Sequence, residues 1–417
     1  MPTVSAKPRK RWKDLVWTST AYFGEGLPYS FLHQLVTEYL TGTGASRAVI
    51  GYTSWFHLPV TLKPLWAPWI DVGGARRGVM IASQIALGLG MIGSAALVDD
   101  EGGAARTFLF WAALAVISVV HAVHDIACDG YYIVALDERG RALYSGTRIA
   151  SFRAAMYVGS GALVILAGVL ESWTLSFALA GAVMVAVGAL NSTLVPRTTE
   201  PRTPPGEKPW VGAAKSFRTF FLQPHAALVL VFVLTYRLGD VLTFAMSSPL
   251  FASLGMDTAA RGILRTIGLT ASIVGSVLAG ALLARGGLER WFVPFTYAMA
   301  LPFYLLLALL KPGFVWIAVV YVAEQFAGAL AGTALPVFLM QRTRRAFSAS
   351  HYAFFTALTA LMSTIAGGLS GHLSEAVGHV TYFALCFVAS IPALALVHRI
   401  PTAPLEAEPE GDEPATP

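Results

Sequence analysis

The stretch HAVHDIACDGYY, residues 121–132, sets two histidines, two aspartates and a cysteine inside an apolar run that reads FLFWAALAVISVV before it and IVAL after it. On a helix, His121, Asp125, Cys128 and Asp129 share one stripe, with His124 close beside it. Two chemistries suit such a stripe. A closed zinc site needs four converging ligands, usually some from a second element, and no second His or Cys cluster exists in the chain. Neither a metal nor a cofactor is therefore expected. A carboxylate pair four residues apart suits a proton better, because two like charges in an apolar setting repel and a proton relieves the repulsion. The competing structural role is a fixed ion pair with Lys63 or Arg153.

The elements that carry this stripe must lie in a membrane. Of 417 residues, 55% are hydrophobic and only 13% charged, with a mean hydropathy of +0.62, far from the balance of a soluble domain. A hydrocarbon core needs roughly 20 apolar residues per helix. Twelve spans are expected, at 15–40, 48–70, 79–98, 107–135, 146–170, 174–195, 222–253, 262–284, 291–310, 314–340, 349–373 and 379–398. Basic residues accumulate in cytoplasmic loops. With the N-terminus inside, one side holds Lys7 to Lys13, Arg76, Arg77, Arg139, Arg141, the linker cations, Arg285, Arg290, Arg342, Arg344, Arg345 and Arg399. The other has little beyond Arg47, Arg106, Arg261 and Lys311. Both termini are expected in the cytoplasm, and the net charge of +5 reads as a topology signal rather than a nucleic-acid surface. The N-terminal basic stretch lacks a small-residue cleavage site and reads as a start-transfer helix. Cys128 and Cys386 both fall inside spans, so no disulfide is expected.

PRTTEPRTPPGEKPW, residues 196–210, divides the chain, giving an N-terminal bundle over 1–195, a cytoplasmic linker over 196–218, a C-terminal bundle over 219–400 and a disordered acidic tail over 401–417. Features recur across the division. YFGEG at 22–26 has a counterpart in YRLGD at 236–240, which sets Glu25 opposite Asp240. SRAVIG at 46–51 matches ARGILR at 260–265, and RGRALYS at 139–145 matches RTRRAFS at 342–348. This is a parallel six-plus-six repeat, the organisation of major facilitator transporters. The expected fold is an all-α polytopic membrane protein of two six-helix bundles.

A charge at mid-bilayer costs about 3 kcal/mol on insertion scales and normally faces a cavity or a partner. The central carboxylates, Glu25, Asp125, Asp129, Asp240 and Glu324, fall on spans one, four, seven and ten, the first helices of each three-helix unit and the expected cavity lining. Proton coupling and charge relay are assigned to Glu25, Asp125, Asp129, Lys63 and Arg153. Glu25, His121, His124, Arg237, Asp240, Glu324 and Gln325 are assigned to the substrate cavity, with Arg237 and Asp240 equally suited to an internal ion pair. Glu38, His33 and Arg148 lie near span ends, where reaching the interface is the simpler role. Asp71, with Arg76, Arg77 and the basic 342–345 segment, is the expected cytoplasmic gate.

Spans one to five also resemble the AmpG-type muropeptide permeases, a major facilitator branch related to acetyl-CoA transporters. The resemblance rests on GEGLPY (24–29), KPLWAPWID (63–71), HDIACDGY (124–131) and LDERGRALYSG (136–146) and covers about the first 160 residues. It implies proton-driven import of anhydro-muropeptides across the bacterial inner membrane. The family commonly has Gln before the first aspartate, where this chain has His124, and Asp71 is followed by Val72 rather than a basic residue. The second half matches too loosely to carry residues across. No HExxH, GxSxG or GxxxxGK[ST] motif appears, so an enzyme is not expected. The rival reading is a facilitator moving another solute, such as a drug or an acetyl-CoA-like metabolite, in either direction. The expected partners are a small-molecule substrate, protons and lipids, with the chain acting as a monomer.

Overall fold

A computed structural model of the chain describes residues 11–63, 75–98, 103–198, 221, 225–342 and 348–402. Among them every regular element is helical. In hydrocarbon, backbone N–H and C=O groups have only each other to bond, which forces apolar runs of this length into helices. The helices follow the order of the twelve expected spans. Span one joins Arg11–Ser30, a π-helical turn Phe31–Leu35 and Val36–Gly42. Span two begins Arg47–Gly51, Tyr52–His57, Leu58–Thr61. Spans three and four are Arg76–Ala95 and Gly103–Ala135. Span five joins Glu138–Met156, a second π-helical turn Tyr157–Ala162 and Leu163–Val169, and span six is Trp173–Leu194.

The second half is more broken. Span seven is Ala226–Tyr236, Leu238–Ala245 and Ser247–Ser253, interrupted at Arg237 and Met246. Spans eight and nine are two helices within Thr258–Met299, separated at Gly287 (φ 70°, ψ 170°). Spans eleven and twelve are likewise two helices within Ser348–Leu396, separated at Gly378 (φ 75°, ψ 165°). Only glycine enters that region without strain, which is why a glycine stands at each break. Span nine continues as Phe303–Leu310 after a break at Pro302, and span ten is Phe314–Gln341. Side-chain caps fix several starts: Ser46 accepts from Val49 N–H, Ser172 from Leu175 N–H and Asp257 from Ala260 N–H.

The two halves meet on the side away from the chain termini. Small residues allow the backbones to close: a Cβ on Gly371 would strike Arg47 and Ala48, one on Gly168 would strike Ala259, and one on Gly262 would strike Ile165. Arg47 donates to Ser374 O at 2.8 Å, Ala48 N–H donates to Glu375 at 3.0 Å, and Tyr52 lies 2.8 Å from His372. Among the described residues, the polar contacts nearest the termini that still join the halves are Arg153 to Ser272 (3.3 Å) and Tyr157 to Thr270 (2.8 Å). The π turns of spans one and five, the latter starting at Tyr157, pack together here, and a Cβ on Gly159 would strike Ser30. Such turns recur at functional sites because they re-aim side chains.

Candidate functional site

Span four runs unbroken for 33 residues, which keeps its polar stripe in helical register and aims Asp125 and Asp129 along one face. Lys63 Nζ meets Asp125 Oδ2 at 2.7 Å. Asp129 Oδ1 accepts from Arg148 at 2.6 Å and from the Tyr22 hydroxyl at 2.8 Å. The Arg148 guanidinium also lies over the Tyr22 and Tyr132 rings, 4.2 and 4.6 Å from their centroids, a geometry a planar cation favours. Glu25 faces both aspartates and both cations, and its Oε2 is buried with no hydrogen-bond partner. Five charged groups thus converge inside the first half, three carboxyls against two cations. Lys63, Asp129 and Arg148 keep 40, 39 and 34% of their side chains exposed although all lie within spans.

Several expected placements need correction. Arg153 meets neither aspartate, because it points across to Ser272 on span eight, and Arg148, assigned to the interface, is the cation that pairs with Asp129. His124 is fully buried and turned from this cluster. Its Nε2 lies 3.1 Å from Gln84, Gln84 accepts from Asn191 at 3.1 Å, and Asn191 accepts from Thr20 at 2.5 Å, a chain that ties spans four, three, six and one. His33 does not reach an interface either. Its ring packs at a tilt against Tyr29 (4.8 Å between centroids) and edge-on against His57 (5.5 Å), and His57 was not singled out from the sequence. His121 is buried near Asp125 and His57, while Cys128 joins an apolar cluster with Trp17 and Tyr131.

In the second half, Arg237 and Asp240 form the internal pair, at 2.5 Å across one turn. Glu324 accepts from Gln325 at 2.8 Å. Asp240 and Glu324 line a small cavity at the break in span nine together with Thr243, Tyr304, Cys386 and Ser390. Asp71 and most of the 342–345 segment lie outside the described residues. Arg77 donates to the Ser192 and Val195 carbonyls at the end of span six (2.7 and 3.0 Å), and Arg76 is buried beside Gly130.

A second charged cluster lies where the halves meet. Glu38, assigned to the interface, is entirely buried. Its Oε2 accepts from Arg261 Nε at 2.7 Å, and its Oε1 accepts from Arg265 Nε at 3.3 Å and Ser248 Oγ at 2.5 Å. Arg265 donates further to Ser247, Ser248 and Tyr321. Arg261, taken from the sequence as a loop charge, bonds Met256 O and Thr258. The side chains are 1, 3 and 7% exposed for Glu38, Arg261 and Arg265. The signal in the sequence was the spacing of Arg261 and Arg265, four apart on one helical face inside an apolar run.

The Major Facilitator Superfamily model matches residues 16–250. The anhydromuropeptide permease of Escherichia coli (strain K12) is 28% identical over 387 residues, 90% of this chain and 77% of that protein, so the AmpG-type resemblance extends well beyond the first five spans. A POT family transporter solved in complex with 5-aminolevulinic acid superposes with a TM-score of 0.71 at 14% identity, over 92% of this chain and 95% of that one. A D-xylose-proton symporter gives 0.69 at 12% identity, over 94 and 98%. Two bundles closed at one end, ion pairs exposed inside them and these likenesses converge on one family: the chain belongs to the major facilitator superfamily, and it is a multi-pass membrane transporter rather than an enzyme.

Proposed function

We propose that the protein is a proton-coupled importer of cell-wall muropeptides in a bacterial inner membrane, with both termini in the cytoplasm and the present conformation open inward. The observation that carries the coupling is the charge count around span four. Lys63 holds Asp125 and Arg148 holds Asp129, so Glu25 is left without a cation of its own. A third carboxylate in this setting is relieved by a proton. Glu25 is then the carrier, and Asp125 is the neighbour through which its charge is felt. Protonated, the cluster is neutral and the halves can rock past it. Deprotonated, it holds an uncompensated charge that favours the hydrated, open state. Muropeptide as the solute rests on the relationship to the Escherichia coli permease. The basic residues on the terminal side support the orientation, and Asp71 with Arg76 and Arg77 remains the proposed gate there.

Uptake of labelled anhydro-muropeptide into proteoliposomes under an imposed pH gradient tests this directly. Glu25→Gln should abolish accumulation against a gradient while gradient-free exchange continues, because the amide imitates a permanently protonated carrier. Accumulation by this variant that still responds to pH overturns the coupling role. A wild-type protein that never takes up the muropeptide overturns the substrate.

A further inference from the structure

We propose that Arg261 and Arg265 form a receiving site for a carboxylate of the incoming solute at the far-side mouth, and that Glu38 occupies this site as an internal stand-in while the mouth is closed. The inference rests on the transporter reading above and adds the chemistry by which the solute is met. The two cations stand one turn apart on span eight. Every other group that holds them belongs to the same half: Ser247 and Ser248 from span seven, Tyr321 from span ten, Met256 O and Thr258 at the start of span eight. Glu38 alone comes from the other half, on span one. Opening the far side requires the halves to part there, which withdraws Glu38 and leaves the remaining donors assembled. The vacated position is bounded by Arg261 Nε, Arg265 Nε and Ser248 Oγ, donors now aimed at the two carboxylate oxygens of Glu38. That is the arrangement in which charge-assisted hydrogen bonds hold a carboxylate ligand. Two arginines to one glutamate also leave an excess of positive charge even when the mouth is shut. When it recloses, Glu38 returns and displaces the solute's carboxylate from at least one arginine, which releases the solute toward the interior.

Chemical rescue separates this site from the identity of the solute. In Glu38→Ala the position is empty, and propionate supplies the missing carboxylate. Millimolar propionate should raise the unfolding midpoint of the purified variant in a saturable way, propionamide should not, and the effect should vanish in Glu38→Ala with Arg265→Gln. Glu38→Gln, which retains a partner for Ser248, serves as the second background if the alanine variant is poorly folded; its tighter binding of anhydromuramyl tripeptide than wild type would show the loss of an internal competitor. In wild type, the free-acid tripeptide should compete for uptake at least tenfold better than the same molecule with its carboxylates amidated, and Arg265→Gln should lose that preference. Equal effects of propionate and propionamide, or a preference that survives Arg265→Gln, overturn the receiving site. Propionate rescue without any tripeptide uptake by wild type keeps the carboxylate site and removes the muropeptide reading.

Discussion

The two charged clusters are opposites in sign, exposure and placement. Around span four, three carboxyls face two cations, all inside one half, and three of the five side chains are part-exposed. At the far side, two arginines face one glutamate, almost wholly buried and split between the halves. An ion pair within a rigid bundle can persist through a transport cycle, so its task is to set the charge of the cavity. One that crosses between bundles must break whenever they part. Burial makes it strong while it lasts, since removing one partner strands the other without water. The acidic cluster is suited to titration and the basic one to latching, and the difference follows from which helices carry the partners rather than from residue types.

The sharpest break in this contrast is Glu38→Leu, which strands two buried arginines. It should cost the closed form about 3–5 kcal/mol, seen as a shift to a far-side-open population in spin-label distances between Thr43→Cys and Ser253→Cys. An unchanged distance distribution would mean that the latch carries little energy. A smaller effect is expected at Lys63 and Asp125, where one partner is 40% exposed. Lys63→Met and Asp125→Leu should each destabilise by about 1–3 kcal/mol, with the double variant close to wild type. Additive losses in thermal unfolding would argue that the two do not act as a pair. Arg148→Lys keeps the charge on Asp129 but gives up the stacked plane over Tyr22 and Tyr132, for about 1 kcal/mol, measured in the same assay.

The smallest effect concerns Glu375, outside the spans. The Ala48 amide holds its carboxyl below the ordinary glutamate range when the mouth is closed. A carboxyl whose affinity for protons is lower in the closed form supports closure above its ordinary range and loses that support as pH falls through its lowered value. Far-side opening should therefore rise slightly in acid, and Glu375→Gln should remove that slope. An identical slope in the variant would assign it elsewhere.

The helices, their order and the membrane were legible in the sequence because they depend on local composition: an apolar 20-mer has one way to satisfy its backbone in lipid. The stripe on span four was legible for the same reason, since helical spacing puts Asp125 and Asp129 on one face whatever surrounds them. The family was carried by short motifs in the first half and holds over most of the chain. Tertiary structure alone decided the partners. Glu38 and Arg261 are 223 positions apart, and from the sequence one looked like an interfacial charge at the end of its span and the other like a loop charge. Arg148 and Arg153 lie five residues apart on span five and face opposite ways, toward Asp129 and toward Ser272, because five steps of 100° turn a helix by more than a third of a circle beyond a full turn. Charge sign and helical phase are written in the chain, but which charge meets which is set by how the bundles pack, and that depends on contacts no local window contains.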